Sequence, residues 1–296
     1  MEFWAIAELN GDDFTIRIGD GVRPALARLW ADALADTGFV DGIGTPFPTD
    51  TIDPVDVALQ WLTQHEQNHF DLGHFDLLDR TAIGETARSL DFSISQRRPV
   101  LPDRLTVLEG ADRTKVEPCL ELQADHDATE SVLGAYSKDG WPELHGRMAA
   151  IASMMMLIER EDAAYGAAIS THPKAATRIF QLLGHAMEMP LITAHLIAQE
   201  NRRDAVSPDD LPSDEEQSAF NRTVIIPAYF DAVHLARIAG AESIAADLGD
   251  VQSFFADIQI AKLSNASRSP DLSTTGAQEW AELVRINDQL KAIQGL

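Results

Sequence analysis

The chain has 296 residues, of which 45% are apolar and 24% charged, enough to bury a sizeable core and too apolar for global disorder. Its 47 Asp and Glu against 23 Lys and Arg give a net charge of -24. A surface that acidic repels phosphate backbones and anionic lipid, so nucleic acid and membrane are excluded as expected partners. The one cysteine, Cys119, permits no internal disulfide, and neither a targeting segment nor a membrane-length apolar run is visible; the expectation is a soluble, cytoplasmic protein.

Residues 3–9 and 14–18 are short runs rich in aromatic and branched side chains, and Asn10-Gly11-Asp12 between them is a turn signal. Together they predict a β-hairpin. A helix is expected over 23–35, with Pro24 in its first turn, followed by a Gly- and Pro-rich loop over 37–50. Asp53 and Pro54 suit the N-cap and first position of the next helix, and apolar residues at 55, 58, 59 and 62 set its period. That helix is predicted to run to about residue 80, with a bend near Gly73. Residues 104–108 read as a strand, and Pro118 begins a helix reaching roughly to 136. Helices are then expected over 142–170, 174–200, 214–239, 241–263 and 277–293, with Met154-Met155-Met156 as core filler. The fold class is mainly α (α+β): a small N-terminal β-sheet with a metal helix packed across it, in a core over 1–140, and a helical C-terminal region over 141–296.

His65-Glu66-Gln67-Asn68-His69 is an HExxH motif. Two histidines four apart lie one turn apart on a helix, so both imidazoles reach one Zn²⁺, and the intervening Glu can accept a proton from water on the metal. An exposed polar helix with two solvated histidines is the plain alternative. The stripe Val55, Ala58, Leu62 argues against it, because it continues through His65, His69 and Leu72 at helical steps. Inward histidines need polar partners, and a metal is an efficient one.

A third ligand is required, and two candidates present themselves. His74 follows His69 by five residues, about 140° off the ligand face of a continuous helix, and falls on the polar stripe of Gln60, Gln64, Gln67 and Asp71. Its recruitment needs a break at Gly73. Glu121 and Asp125 share one face of the helix after Pro118 with Ala124, Ala128 and Val132. One of these carboxylates can bind the metal while the other accepts the free ring N–H of a ligand histidine, fixing its orientation.

HExxH followed by a helix of form Leu-Glu-x-x-Ala-Asp-x-x-Ala at 120–128 resembles the gluzincin zinc metallopeptidases, in particular the HtpX-like and CAAX-processing branch. With Gly73-His74 and Leu77-Leu78 it is also similar to soluble, often phage-associated Lit-like peptidases. The resemblance covers about residues 50–135. It implies Zn²⁺ ligands His65, His69 and Glu121, Glu66 as general base, and Asp125 as support for a ligand histidine. The chain departs from the HtpX-like branch in lacking membrane helices, and from metzincins in lacking a third His at their spacing.

The expected activity is zinc-dependent endopeptidase hydrolysis of a protein or peptide substrate; the sequence assigns no oligomeric state. Donors to the developing oxyanion are sought among His126, His145, His185, His195, Tyr229 and His234. The substrate is expected to add as a strand to an edge of the hairpin or of 104–108. Replacing Asp125 by Asn is expected to be mild, weakening metal retention by about 10- to 100-fold. Two other classes compete. A carboxylate-bridged di-metal bundle needs a second Glu-x-x-His element, which Asp231-x-x-His234 only approximates. A helical interaction protein with a structural metal would have no use for Glu66.

Overall fold

A computed structural model describes residues 2–84, 102–108, 110–164, 171–263 and 271–294. The hairpin forms as β1 (Ala5–Asn10) and β2 (Asp13–Ile18), antiparallel with Asn10 opposite Asp13. α1 (Val22–Ala35) and the short α2 (Thr37–Asp41) follow. The metal helix is α3 (Pro54–Asp71). Asp53 caps it through Oδ1, accepting from the amides of Val55 at 2.9 Å and Asp56 at 3.3 Å, an arrangement that stabilises a helix by about 1 kcal/mol.

Past Leu72 the expected helix does not merely bend. Gly73 takes a left-handed φ of 70°, and a separate helix, α4 (His74–Leu78), restarts after it. A three-residue strand that the sequence did not suggest, β3 (Ala82–Gly84), then pairs antiparallel with β1. The sheet order is β2-β1-β3, so β1 is central and its edges are both taken. The strand expected over 104–108 is a 3₁₀ turn, Asp103–Val107. Its buried residues, Leu105 and Leu108, are three apart while Val107 is exposed, a spacing of a tight helix rather than of a strand.

The remainder is helical: α5 (Gly110–Arg113), α6 (Val116–Leu133), α7 (Trp141–Ala164), α8 (Ala175–Glu200), α9 (Asp214–Phe220), α10 (Ile226–Ile238), α11 (Glu242–Leu248), α12 (Val251–Leu263) and α13 (Thr275–Gln294). The single helix expected over 241–263 is two, because Gly249 is left-handed at φ 74°. The end of the helix expected over 142–170 lies beyond Ala164, outside the described residues. Between α9 and α10 one π-helical turn, Asn221–Ile225, keeps the axis continuous. The chain is therefore mainly helical with a small three-stranded antiparallel sheet. No helix among the described residues is long and apolar enough to cross a membrane.

The larger core takes residues from Phe3 to Ala281, including Met148 and the Met154-Met155-Met156 run of α7. A smaller one gathers Phe75, Leu78, Ile83, Leu105, Leu120 and Leu283 around Ala7. α3 packs against β1, α6 and α7. Along α3, Ala58, Trp61 and Leu62 belong to the larger core, while α4 beyond it serves the smaller. Along α6, Leu120 and Leu122 serve the smaller and Ala128 and Val132 the larger. The polar residues of both helices fall at the switch between the two cores.

Candidate metal centre

The inward stripe of α3 carries His65 and His69 into that seam, with Glu66 beside them. The middle of α6 supplies Glu121 and Asp125. All five are between 0% and 4% exposed. Asn68 Nδ2 donates to the Ala124 carbonyl at 3.2 Å, which fixes the two helices in register across the cluster.

Ligand-capable atoms of His65, His69 and Glu121 lie within 4.8 Å of one another. His65 Nε2 is 3.1 Å from Glu121 Oε2 and 3.3 Å from His69 Nε2, and His69 Nε2 is 3.5 Å from Glu121 Oε1. A tetrahedral ion with bonds of ~2.0–2.1 Å spaces its ligand atoms about 3.3–3.4 Å apart. These separations, which engage both oxygens of Glu121, are of the size that such an ion sets between its ligands.

Each ligand has a partner behind it. His65 Nδ1 is 2.9 Å from Asp125 Oδ1. His69 Nδ1 is 2.9 Å from His74 Nδ1, and His74 Nε2 is 2.9 Å from Gln123 Oε1. His74 therefore leaves the polar stripe on which a continuous helix would put it: the turn at Gly73 brings it inside, fully buried, behind His69 rather than into the ligand set. Glu121 Oε2 is also 3.4 Å from His172 Nε2, and His172 Nδ1 is 3.1 Å from Asp162 Oδ2.

The electrostatics suit a cation. Burial would push the His65 imidazolium down, but Asp125 and Glu121 outweigh it and raise the group to about 10. Burial lifts the Glu66 carboxyl to about 8. Glu121 resists the upward push of burial because His172, His69 and His65 surround it, and stays well below the usual carboxylate range. Burial holds His69 well below its ordinary value and His74 at about 4. Glu66, Glu121, Asp125 and Asp162 are all buried, while Arg178 is the only buried Arg or Lys among the described residues. Glu66 Oε2 has no hydrogen-bond partner. A divalent ion held by His65, His69 and Glu121 fits this donor set and this excess of carboxylates.

A cavity of about 20 Å³, lined by His65, Glu66, His172, Phe3, Trp4 and Ile158 among others, adjoins the cluster; a volume of that order holds one water. None of the oxyanion donors expected from sequence lines it. His145 pairs with Asp231 at 2.5 Å and His234 with Asp36 at 3.2 Å, Tyr229 Oη donates to the Gly249 carbonyl at 2.5 Å, and the His126 and His185 rings meet edge-on at 5.2 Å. His195 is exposed on α8. Besides His65, the histidine that does line the cavity is His172, which sits in a loop at no fixed spacing from HExxH and so carries no sequence signal of its role. Asp231 and His234, the approximate second half of a di-metal site, are engaged with His145 and Asp36, not with the His65 cluster.

Comparison with known proteins gives no match to a protein-family model, to a curated protein or to a solved structure.

Proposed function

We infer that the chain is a zinc-dependent endopeptidase, acting on a protein or peptide in the cytoplasm, with the metal helix and small sheet forming a zincin-like core. One observation carries the reading: three side chains separated by the distances that a shared tetrahedral ion sets between its ligands stand beside a buried Glu66 whose Oε2 is unpartnered and which lines a cavity for one water. His65, His69 and Glu121 would hold the ion, which when bound acidifies water and polarises a carbonyl. Glu66 would take the proton of the attacking water at a carboxylate oxygen and return it to the departing amine. His172, held through Nδ1 by Asp162, would donate from Nε2 to the carbonyl oxygen as negative charge builds there. Asp125 would hold the His65 ring, so that Nε2 points to the ion. Glu66 makes no ligand contact, and a purely structural metal site would gain nothing from burying its carboxyl.

The test compares Glu66→Gln with His65→Ala and His69→Ala. The histidine variants should lose the metal, as counted on protein purified without added metal. Glu66→Gln should keep both metal and fold while losing hydrolysis of an unstructured protein substrate, because an amide cannot accept the proton. Cleavage by Glu66→Gln as fast as by the wild type would overturn the mechanism.

A further inference from the structure

Arg178 belongs to α8, which carries no part of the metal motif, yet it is 1% exposed and directed at the centre of the site. Its Nε is 2.7 Å from Asp125 Oδ2 and its Nη2 is 2.7 Å from Asp125 Oδ1. The guanidinium carbon also lies 5.4 Å from the centre of the Trp61 ring. Trp61, fixed by an Nε1–H bond to Thr129 Oγ1 at 3.2 Å, packs its ring 5.4 Å from that of His65 at a tilt of 32°. Two routes from one guanidinium, ionic through Asp125 and stacked through Trp61, end on the same imidazole.

A buried arginine needs a carboxylate partner for stability alone, which would explain the first route without the second. The convergence of both on His65 is what a structural ion pair leaves unexplained. A carboxylate held at one oxygen can rotate; a planar two-point fork fixes its plane. Asp125, once fixed, holds His65 Nδ1, and the Trp61 face limits the tilt of the ring. We propose that Arg178 is a positioning residue of the metal centre, orienting His65 Nε2 toward the ion through Asp125 and Trp61. This rests on the metal-site reading given above.

The experiment is a Co²⁺ titration of the metal-free full-length protein, following affinity and the visible ligand-field spectrum. The wild type should bind Co²⁺ with a four-coordinate spectrum. Arg178→Gln should bind about 10- to 100-fold more weakly and with a changed spectrum, because His65 is no longer held in place. Ile179→Ala, which opens a cavity one residue along the same helix, is the control: it should lower the melting temperature and leave the spectrum as in the wild type. Should Arg178→Gln fail to fold, Arg178→Lys decides, since it keeps the charge but loses the fork and the stacking plane; a several-fold weaker affinity and a shifted spectrum are expected. An Arg178 variant that folds and matches the wild type in affinity and spectrum overturns the positioning role while leaving the metal centre standing. A wild type that binds no Co²⁺ overturns the metal-site reading, and this proposal with it.

Discussion

His69 and His74 face each other through their Nδ1 atoms at 2.9 Å, and only one arrangement of protons lets His69 offer Nε2 to a metal. His69 must then carry its proton on Nδ1 and donate it to His74, whose own proton moves to Nε2 and is donated to Gln123 Oε1 at 2.9 Å. Gln123 in turn donates from Nε2 to Asn287 Oδ1. The chain of bonds runs from the ligand to α13 and fixes each ring's tautomer. His74→Phe should therefore keep the apolar contacts of the site but weaken metal binding by about 10- to 100-fold, measured by competition with a chelator. Unchanged affinity would show that the tautomer is set in some other way.

Asp125→Asn, which the sequence marks as a mild change, should be severe. The substitution strands the Arg178 guanidinium, buried and doubly bonded to that carboxylate, and breaking one side of a buried pair costs about 3–5 kcal/mol. The double variant Asp125→Asn/Arg178→Gln removes both charges and should recover much of the loss. Chemical denaturation of the three proteins checks this; additive losses would contradict it.

Above neutral pH, metal-free protein should lose stability as the pH rises. Folding raises Glu66 from an ordinary 4.5 to about 8, so its ionised form is penalised and stability falls as pH climbs between those values. His65, raised from 6.5 to about 10, contributes stability that is complete below the lower value and gone above the upper. Both effects have the same sign. Buried His69 and His74, both held below their ordinary value, act in the opposite direction but only below about 6.5, so the thermal midpoint of the metal-free chain should drop from pH 7 toward pH 10, with Glu66→Gln flattening the lower part. Added divalent metal should oppose the fall, because the ion takes the place of the His65 proton. A midpoint that rises over this range would refute the account.

Cys119 reports on the smaller core. Its thiol, 1% exposed, donates to the Leu283 carbonyl at 3.4 Å, and burial pushes it up to about 12. At pH 8 only about one thiol in ten thousand would be ionised, so the folded protein should resist alkylation and the denatured protein should react promptly. Rapid labelling under native conditions would mean that α6 and α13 separate locally.

Much of this was legible in local patterns. The hairpin announces itself through Asn10-Gly11 between branched runs, and α3 through Asp53-Pro54 and its apolar period, because caps and periodicity are short-range properties. Glu121 and Asp125 are legible as candidates from the helix face they share, and the resemblance of the joint motif adds to that. His74 was misplaced because a helical wheel carries its phase across Gly73, where the left-handed turn resets it. β3 has three residues and no alternation to detect. Arg178 did leave a signal: a charge among Ala175, Ala176, Ile179 and Leu182 on an apolar face must find a buried carboxylate. Which carboxylate is a matter of tertiary packing. His172 left none, since a loop histidine at long range has no period to obey.

The cavity beside Glu66 admits a solvent molecule but no polypeptide. Phe3 and Trp4, just ahead of the sheet, and Ile158 on α7 are among its walls. On the peptidase reading, the arrangement described here is then the waiting form of the molecule, and turnover is multiplied by the fraction of time its walls stand apart. Each ~1.4 kcal/mol needed to part them slows the observed rate tenfold, whatever the chemistry at the ion can do. Cleavage would favour partners that supply this opening energy on docking, and short peptides that dock weakly would be cut slowly however well their sequence suits the site.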